Sequence, residues 1–522
     1  MAELKSMEEM KKHNVGVIGV VGIIYTMCCA GAYGIEDMIS LAGPGMTILA
    51  LCVLPFIWAY PQALACAELG SAIPEEGGIY KWMQKAFGEF WGFQMGLWTI
   101  IVNYLFVPTL IILAGNYVGT AMGWSWGVTF AFKVALILFF GYINWRGVTD
   151  VSIVSTGMSI IIFIAFMCII VIGFTNWQYS PVDPFIPEGE SILMSASYAF
   201  VIGMWMYGGY SQMASVAGEL KDPQVIPKAL MIAMPLVMLT YIPSTIGGIA
   251  SVGQWEDWGT DGVSWIDVGY VAGPAWGAFF VIVAFLGQIS IFNSYLGTTA
   301  RTVFVMSMDK LAPKVFSRCS QKTGVPDIAL LSIIIACVIF CTFEFSMIVM
   351  LTVAVSFLST GGMMLAIMLL RKQDQYADRP FKINVPDGVF NAICIMVLVV
   401  CVVFLYLNGT DYFFFGTTII FIGPPLYWLL KRSYQEDKTK GAKVLNPGER
   451  KQISFLFFLV AALCAGGYLF FPWYDDPDWF EEIYGIPGIL DIYITGIGIM
   501  AIISAILGII FYRAHKAESR KA

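Results

Sequence analysis

The basic residues of this chain keep to one side of a membrane. Fourteen long apolar segments can be marked at about 15–40, 46–70, 90–118, 126–145, 151–174, 192–220, 229–252, 272–300, 328–343, 347–370, 388–408, 412–430, 453–471 and 488–512. Of the 29 Lys and Arg, 28 fall in the two tails or in the even-numbered gaps, none in the odd-numbered gaps, and Lys133 alone lies inside a span. Cytoplasmic loops of polytopic membrane proteins carry this excess of positive charge. The asymmetry therefore predicts about 14 transmembrane helices with both termini cytoplasmic. Crossing the hydrocarbon takes about 20 helical residues. Segment 328–343 is short for this, but omitting it would invert every later loop and break the charge pattern.

Composition agrees that the solvent is lipid. The chain is 58% hydrophobic and 12% charged, against about 25% charged in soluble domains. The net charge of −7 gathers in outer loops, at Asp183, Glu188, Glu190, Glu256, Asp257, Asp261, Asp267 and the run 475–482. An acidic outer face argues against a nucleic-acid partner and attracts cations weakly. The only histidines, His13 and His515, lie in the tails, and the 11 cysteines form no CxxC. No metal site, cofactor or His-based catalysis is expected. Lys133, in the outer half of its span, is expected to snorkel to the headgroups.

The organisation follows from the spans. A cytoplasmic tail (1–14) precedes a twelve-span core (15–430), a polar cytoplasmic linker (431–452) leads to two extra transmembrane helices (453–512), and a cytoplasmic tail (513–522) follows. Spans 1 and 6 do not read as clean helices. Span 1 contains Ala30, Gly31, Ala32, Tyr33 and Gly34, followed by Glu36 and Asp37; span 6 contains Tyr207, Gly208, Gly209, Tyr210 and Ser211. Glycine costs about 1 kcal/mol against alanine in a helix interior, and unwound backbone at membrane depth is tolerated where it is buried in protein or lines a cavity. The two interruptions are five spans apart, at matching places in two halves, 15–174 and 192–370. An odd number of spans per half gives the halves opposite orientation, and paired interruptions of this kind point to a binding site near the bilayer midplane. Close helix packing at glycines is the bland alternative.

The stretches Gly31-Ala32-Tyr33-Gly34-Ile35-Glu36-Asp37, Ala67-Glu68-Leu69 and Pro74-Glu75-Glu76-Gly77-Gly78, with the span 6 exit AGELKDPQVIPKAL, resemble the amino acid–polyamine–organocation (APC) superfamily, nearest its polyamine/amine-type branch. The resemblance covers about 14–330 well and continues loosely to span 12; the last two spans stand outside the usual core. It implies an all-α polytopic membrane protein with a LeuT-like 5+5 inverted repeat, broken spans 1 and 6, and secondary transport or exchange of an amino acid, polyamine or related small amine across the plasma (cytoplasmic) membrane. Some polyamine carriers look to have an aspartate where this chain has Ser211, and some proton-coupled members have a lysine in span 5, which here carries no charge. The coupling ion, H+ or Na+, or a counter-substrate, stays open, as does the oligomeric state.

Several side chains are candidates for contact with such a solute. A carboxylate inside a span costs about 2.5–3.5 kcal/mol on insertion scales and marks a pathway or ion site. Glu36 and Asp37 point about 100° apart, so one of them is expected to face the cavity, with Glu36 as the partner of an ammonium or a proton; capping of the following half-helix is the alternative. Trp205, Tyr207 and Tyr210 offer cation–π faces, with Trp205 as the gate by resemblance to the superfamily's aromatic lid. Asn103, Gln288 and Asn293 are buried polar candidates for the cavity wall or for interhelical hydrogen bonds. Glu68 is expected to meet a cytoplasmic Lys or Arg. There is no Walker-type phosphate loop, so ATP does not drive the protein directly. A transporter-like amine sensor without flux is the rival reading, and a membrane-embedded enzyme would need a histidine or metal constellation that the spans lack.

Overall fold

The computed structural model describes residues 16–29, 31–73, 75, 77–146, 151–210, 225–320, 322–373, 381–434 and 444–519. Among these residues the regular structure is helical, apart from one isolated bridge between Trp258 and Val263. Among the described residues eleven helices are long and apolar enough to cross a membrane, and three shorter apolar helices accompany them.

The first apolar segment forms two pieces, α1 (Val17–Cys28) and α2 (Ile35–Ala42). The second forms α3 (Pro44–Leu54), a π-turn at Pro55–Ala59 and α4 (Tyr60–Ala72). Pro55 has no N–H to give to the helical ladder, and the widened turn is how the span passes it without breaking. A short amphipathic helix, α5 (Ile79–Phe87), lies between spans 2 and 3, where the sequence suggests only a loop. Then come α6 (Glu89–Ala121), α7 (Trp126–Trp145) and α8 (Val151–Thr175). Span 6 is helical only as α9 (Ile192–Met206), started by the Ser191 hydroxyl, which accepts the Met194 N–H at 3.1 Å. Residues 207–210 follow it outside the α-helix, and the rest of the span from Ser211 lies outside the described residues, as does Ala30 of span 1.

Next are α10 (Val225–Val252), the outer helix α11 (Trp265–Ala272) and α12 (Pro274–Met308). The short ninth segment is α13 (Asp327–Phe340), 14 residues long. It is followed by α14 (Phe345–Leu370), α15 (Asp387–Leu407) and α16 (Thr410–Tyr434). The chain ends in α17 (Pro447–Tyr474), the short α18 (Pro477–Tyr484) and α19 (Ile489–Ser519).

The long α6 is the centre of the packing. Its 33 residues span about 50 Å at 1.5 Å per residue, more than the hydrocarbon thickness of about 30 Å, and it packs against α12, α14, α13 and α5. Burial grades outward from there: 61% of the most apolar window of α6 and 67% of that of α14 are buried, against 28% for α19. The two halves of span 1 go to different neighbours. α1 lies against α8 and α10, whereas α2 lies against α9 and α3.

Polar contacts fix the two ends. At the basic end Glu68 is buried in α4 and receives Arg371 through Nε at 2.7 Å, a second guanidinium contact and the Ile383 N–H at 3.0 Å. The guanidinium also lies 3.5 Å from the centroid of Phe390. The final hairpin is docked at both ends. Glu449, in a capping box with Asn446, meets Lys431 and the Tyr427 hydroxyl of α16. At the opposite end Tyr474 donates to the Leu407 carbonyl at 2.6 Å, and the Thr410 N–H donates to Asp475 at 3.0 Å.

Lys133 does not snorkel. It is 7% exposed, on one face of α7 with buried Ile137 and Gly141, and its stem lies against Gly115 of α6, where a Cβ would come within 2.4 Å of it. The rotation of α7 sends this side chain into the protein, whereas its position along the span alone places it at the lipid surface.

Removing one partner of a buried ion pair strands the other charge, at about 3–5 kcal/mol. Glu68→Gln is therefore expected to lower the thermal unfolding temperature much more than a Glu75→Gln change at the more exposed Lys85 pair; comparing the two variants in detergent checks this.

Candidate functional site

The break in span 1 starts where Cys29 turns to an extended conformation (φ −149°, ψ 95°) and ends at Gly34. Gly34 takes φ 100°, a left-handed value that suits glycine. It is also crowded: a Cβ there would lie 2.7 Å from Phe345 Cζ and 3.4 Å from the Trp205 ring. Glycine is thus required both for the backbone turn and to let two aromatic rings close over it. The break in span 6 starts at Tyr207 and includes Gly209 at φ 92°. A Cβ on Gly209 would come within 2.7 Å of the Met27 carbonyl oxygen. The span 6 break therefore lies backbone against backbone on the last turn of α1, next to the span 1 break.

One hydroxyl serves both. Tyr241 of α10 lies 3.1 Å from the Cys28 carbonyl and 3.1 Å from the Met206 carbonyl, the last helical residues of α1 and α9. Helix C-termini leave carbonyls unpaired, and at this depth no bulk water is present to satisfy them. Tyr241 does so for both half-helices, its one proton shared between them. Nothing in the sequence near Tyr241 singles it out.

The carboxylates separate as their 100° offset implies. Glu36 is fully buried, and its oxygens accept the Gly34 N–H at 2.6 Å and the Tyr117 hydroxyl of α6 at 2.6 Å. It stands in the first turn of α2, where negative charge complements the helix dipole. Asp37 points the other way and accepts the Thr260 N–H of the outer loop at 2.7 Å. The same loop reaches in through Trp265, whose indole N–H donates to the Ala32 carbonyl at 2.9 Å. The outer loop is thus fastened to span 1 on both sides of Gly34.

Aromatic rings enclose the junction. Trp205 is edge-on to Phe345 at 5.3 Å and tilted against Phe106 at 5.6 Å, and Phe106 continues to Tyr295 at 4.7 Å. Tyr33 is edge-on to Tyr117 and Phe166, and a Cβ on Gly31 would collide with the Phe166 ring. Among the described residues three polar atoms here are buried with no partner, the Tyr33 and Tyr210 hydroxyls and Trp205 Nε1, and Gln288 Oε1 of α12 is another such atom. Buried polar groups are ordinarily satisfied, and unmet groups on span 1 and span 6 beside the two breaks suit a polar ligand.

Other candidates are committed elsewhere. Tyr207 donates to the Leu51 carbonyl at 2.9 Å. Gly208 continues the last turn of α9 through its N–H to the Trp205 carbonyl at 3.0 Å. Asn293 accepts Asn144 Nδ2 at 2.8 Å and so joins α12 to α7. Asn103 is buried on α6.

These features define a polytopic α-helical membrane protein with paired half-helices meeting in its interior. The family model for amino acid permeases matches residues 15–428, and the chain belongs to that family. The match ends inside α16, so α17–α19 lie beyond it. Among curated relatives, polyamine transporter RMV1 of Arabidopsis thaliana is 27% identical over 402 residues, covering 74% of this chain and 79% of its own. Polyamine transporter PUT1 of Oryza sativa subsp. japonica is 28% identical over 396 residues, 73% of this chain and 71% of its own. The serine/threonine exchanger SteT of Bacillus subtilis is 31% identical over 211 residues, 39% of this chain and 47% of its own.

Two variants test the geometry. Tyr241→Phe removes a shared hydrogen bond and is expected to cost about 1 kcal/mol, read as a lower unfolding temperature. Asp37→Asn keeps an oxygen for the Thr260 N–H, whereas Asp37→Ala does not, so protease cutting in 253–264 should rise for the alanine variant alone.

Proposed function

We propose that this protein is a secondary active transporter or exchanger that moves an amino acid, polyamine or related small amine across the cytoplasmic membrane by alternating access. The observation that carries the reading is the meeting of the two half-helix ends under one Tyr241 hydroxyl, walled by Trp205, Phe106 and Phe345. Membership of the amino acid permease family, and relatives named for polyamines and for serine and threonine, support an amine or amino acid as the solute.

In this reading the fold is a 5+5 inverted repeat of the LeuT kind with 14 spans and both termini cytoplasmic. Spans 1, 2, 6 and 7 rock against spans 3, 4, 8 and 9. The solute lies between Cys29–Gly34 and Tyr207–Ser211, its ammonium against unwound carbonyls, aromatic faces and the field of Glu36, with Trp205 closing over it. The neutral orphans Tyr33, Tyr210, Trp205 and Gln288 meet its remaining polar groups. Asp37 is held by the outer loop, and the span 6 break carries no acid in its sequence. One nearby carboxylate suits one ammonium better than a chain of them.

Purified protein in liposomes, preloaded or empty and under imposed proton or sodium gradients, tests the reading with labelled putrescine, spermidine, L-serine and L-arginine. Uptake of at least one solute is expected; specific binding by folded protein with no flux under any condition would instead establish a sensor. Trp205→Leu removes a cation–π face worth about 0.5–2 kcal/mol, so the apparent affinity for the transported amine should fall by roughly 2- to 30-fold.

A further inference from the structure

The surroundings of Glu36 bear on how movement of the amine is driven, a question that presupposes the transport reading. Glu36 is fully buried, and its two oxygens are met by neutral donors, Gly34 N–H and Tyr117 OH. No ion pair reaches it among the described residues. Each element around it gives the same answer. On its own helix Asp37 is bound to Thr260, and in the break Tyr33 lies edge-on against Tyr117 of α6. The outer loop packed on α2 brings Glu256, Asp257 and Asp261, and the start of α14 brings Glu344, all acidic. α3 and α9 bring no charged side chain. Lys133, the one lysine within a span by sequence, has its stem against Gly115 of α6 and forms no ion pair with Glu36 among the described residues.

An unpaired carboxylate enclosed at membrane depth is costly, and neutral donors offset only part of the cost. Something positive must neutralise it in each resting state. The described residues bring no cation to Glu36, which leaves a proton, a sodium ion or the ammonium group of the solute. Among the described residues no group of three or more His, Cys, Asp or Glu could hold a metal ion, which favours the proton and the ammonium over sodium. A proton and an ammonium exclude each other there, because a protonated carboxyl has no charge to offer an ammonium.

We propose that the proton and the ammonium compete for Glu36, so that the protein exchanges H+ for an organic cation. On the side to which the site is open, the Glu36 O–H bond breaks, the proton passes to water, and the carboxylate pairs with the incoming ammonium, which keeps all its N–H bonds. On the other side the ammonium leaves and a proton from water restores the O–H bond. No redox change occurs, and the site keeps the same charge in both states. Tyr117 can follow the exchange, since a phenol hydroxyl donates to a carboxylate and can accept from a carboxyl. The aromatic rings lie beside the same point, since Trp205 and Phe345 close over Gly34, whose N–H is on Glu36. The absence of charge from span 5 is then no obstacle, because the proton carrier sits in span 1.

Calorimetric titration of the full-length protein with putrescine and L-arginine, in buffers of different ionisation enthalpy between roughly pH 5 and 8, tests the competition. On the acid side affinity should fall roughly tenfold for each pH unit, with proton release approaching one per ammonium bound. Affinity that is flat across the range with no proton release would overturn the proposal. Glu36→Gln, checked by thermal unfolding, should lose both the pH dependence and the release; if it does not fold, the wild-type titration still decides. In liposomes loaded with putrescine and a pH-sensitive dye, efflux should acidify the lumen. Amine–amine exchange without acidification would overturn proton competition and leave transport standing. No flux of any solute from folded protein would overturn the transport reading, while the titration still decides whether proton and ammonium compete.

Discussion

Everything in the interior of this protein answers to one constraint: a backbone that stops being helical inside a membrane must find partners for its exposed carbonyl and amide groups within the protein. The ends of α1 and α9 find theirs in a single hydroxyl from α10, Tyr241. The start of α2 finds its partner in its own side chain, through the Gly34 N–H and Glu36. The Ala32 carbonyl between them takes the Trp265 indole. Each partner comes from a different element, so the breaks hold their shape only when the helices around them are assembled. The broken segments and the tertiary packing are one structure here.

That dependence decides what the sequence can disclose. Apolar length and the placement of Lys and Arg are local properties, and they locate most helix ends to within a few residues, though α12, α17 and α19 each run six to eight residues further at one end. The glycine clusters mark both breaks for the same reason. The 100° between Glu36 and Asp37 separates their roles, with Glu36 turned inward and Asp37 toward the outer loop. What stays hidden is every side chain that reaches a break from an intact helix or from the outer loop. Tyr117, Tyr241 and Trp265 sit in ordinary apolar surroundings, and their partners are 35 to 233 residues away. The direction of Lys133 is hidden too, because composition does not give the rotation of a helix; the i, i+4, i+8 face it shares with Ile137 and Gly141 points into the protein. The short helices α5, α11 and α18 fall within apparent loops because apolar length marks spans, and these three are too short to cross the bilayer.

The final hairpin shows how an addition can be joined to a finished core. It lies beyond the family match, yet its contacts with α15 and α16 are polar at both ends and apolar between. In lipid, where apolar surface gains little by leaving the solvent, hydrogen bonds and close fit must hold such a join. Tyr406 donating to the Leu463 carbonyl in mid-hairpin is of that kind, with Gly466 beside it leaving room for the ring.

The loop before α11, together with Trp265, is joined to span 1 by two hydrogen bonds, one of them on the half-helix α2, and it is exposed at Glu256, Asp257 and Asp261. A large ligand that grips this loop from outside, such as an antibody fragment, would hold α2 through those bonds without entering the central junction. Its effect would not be relieved by raising the concentration of the small solute. In the alternating-access reading proposed above, with both termini cytoplasmic, the loop is a handle on the moving part, placed where agents that never cross the bilayer can reach it.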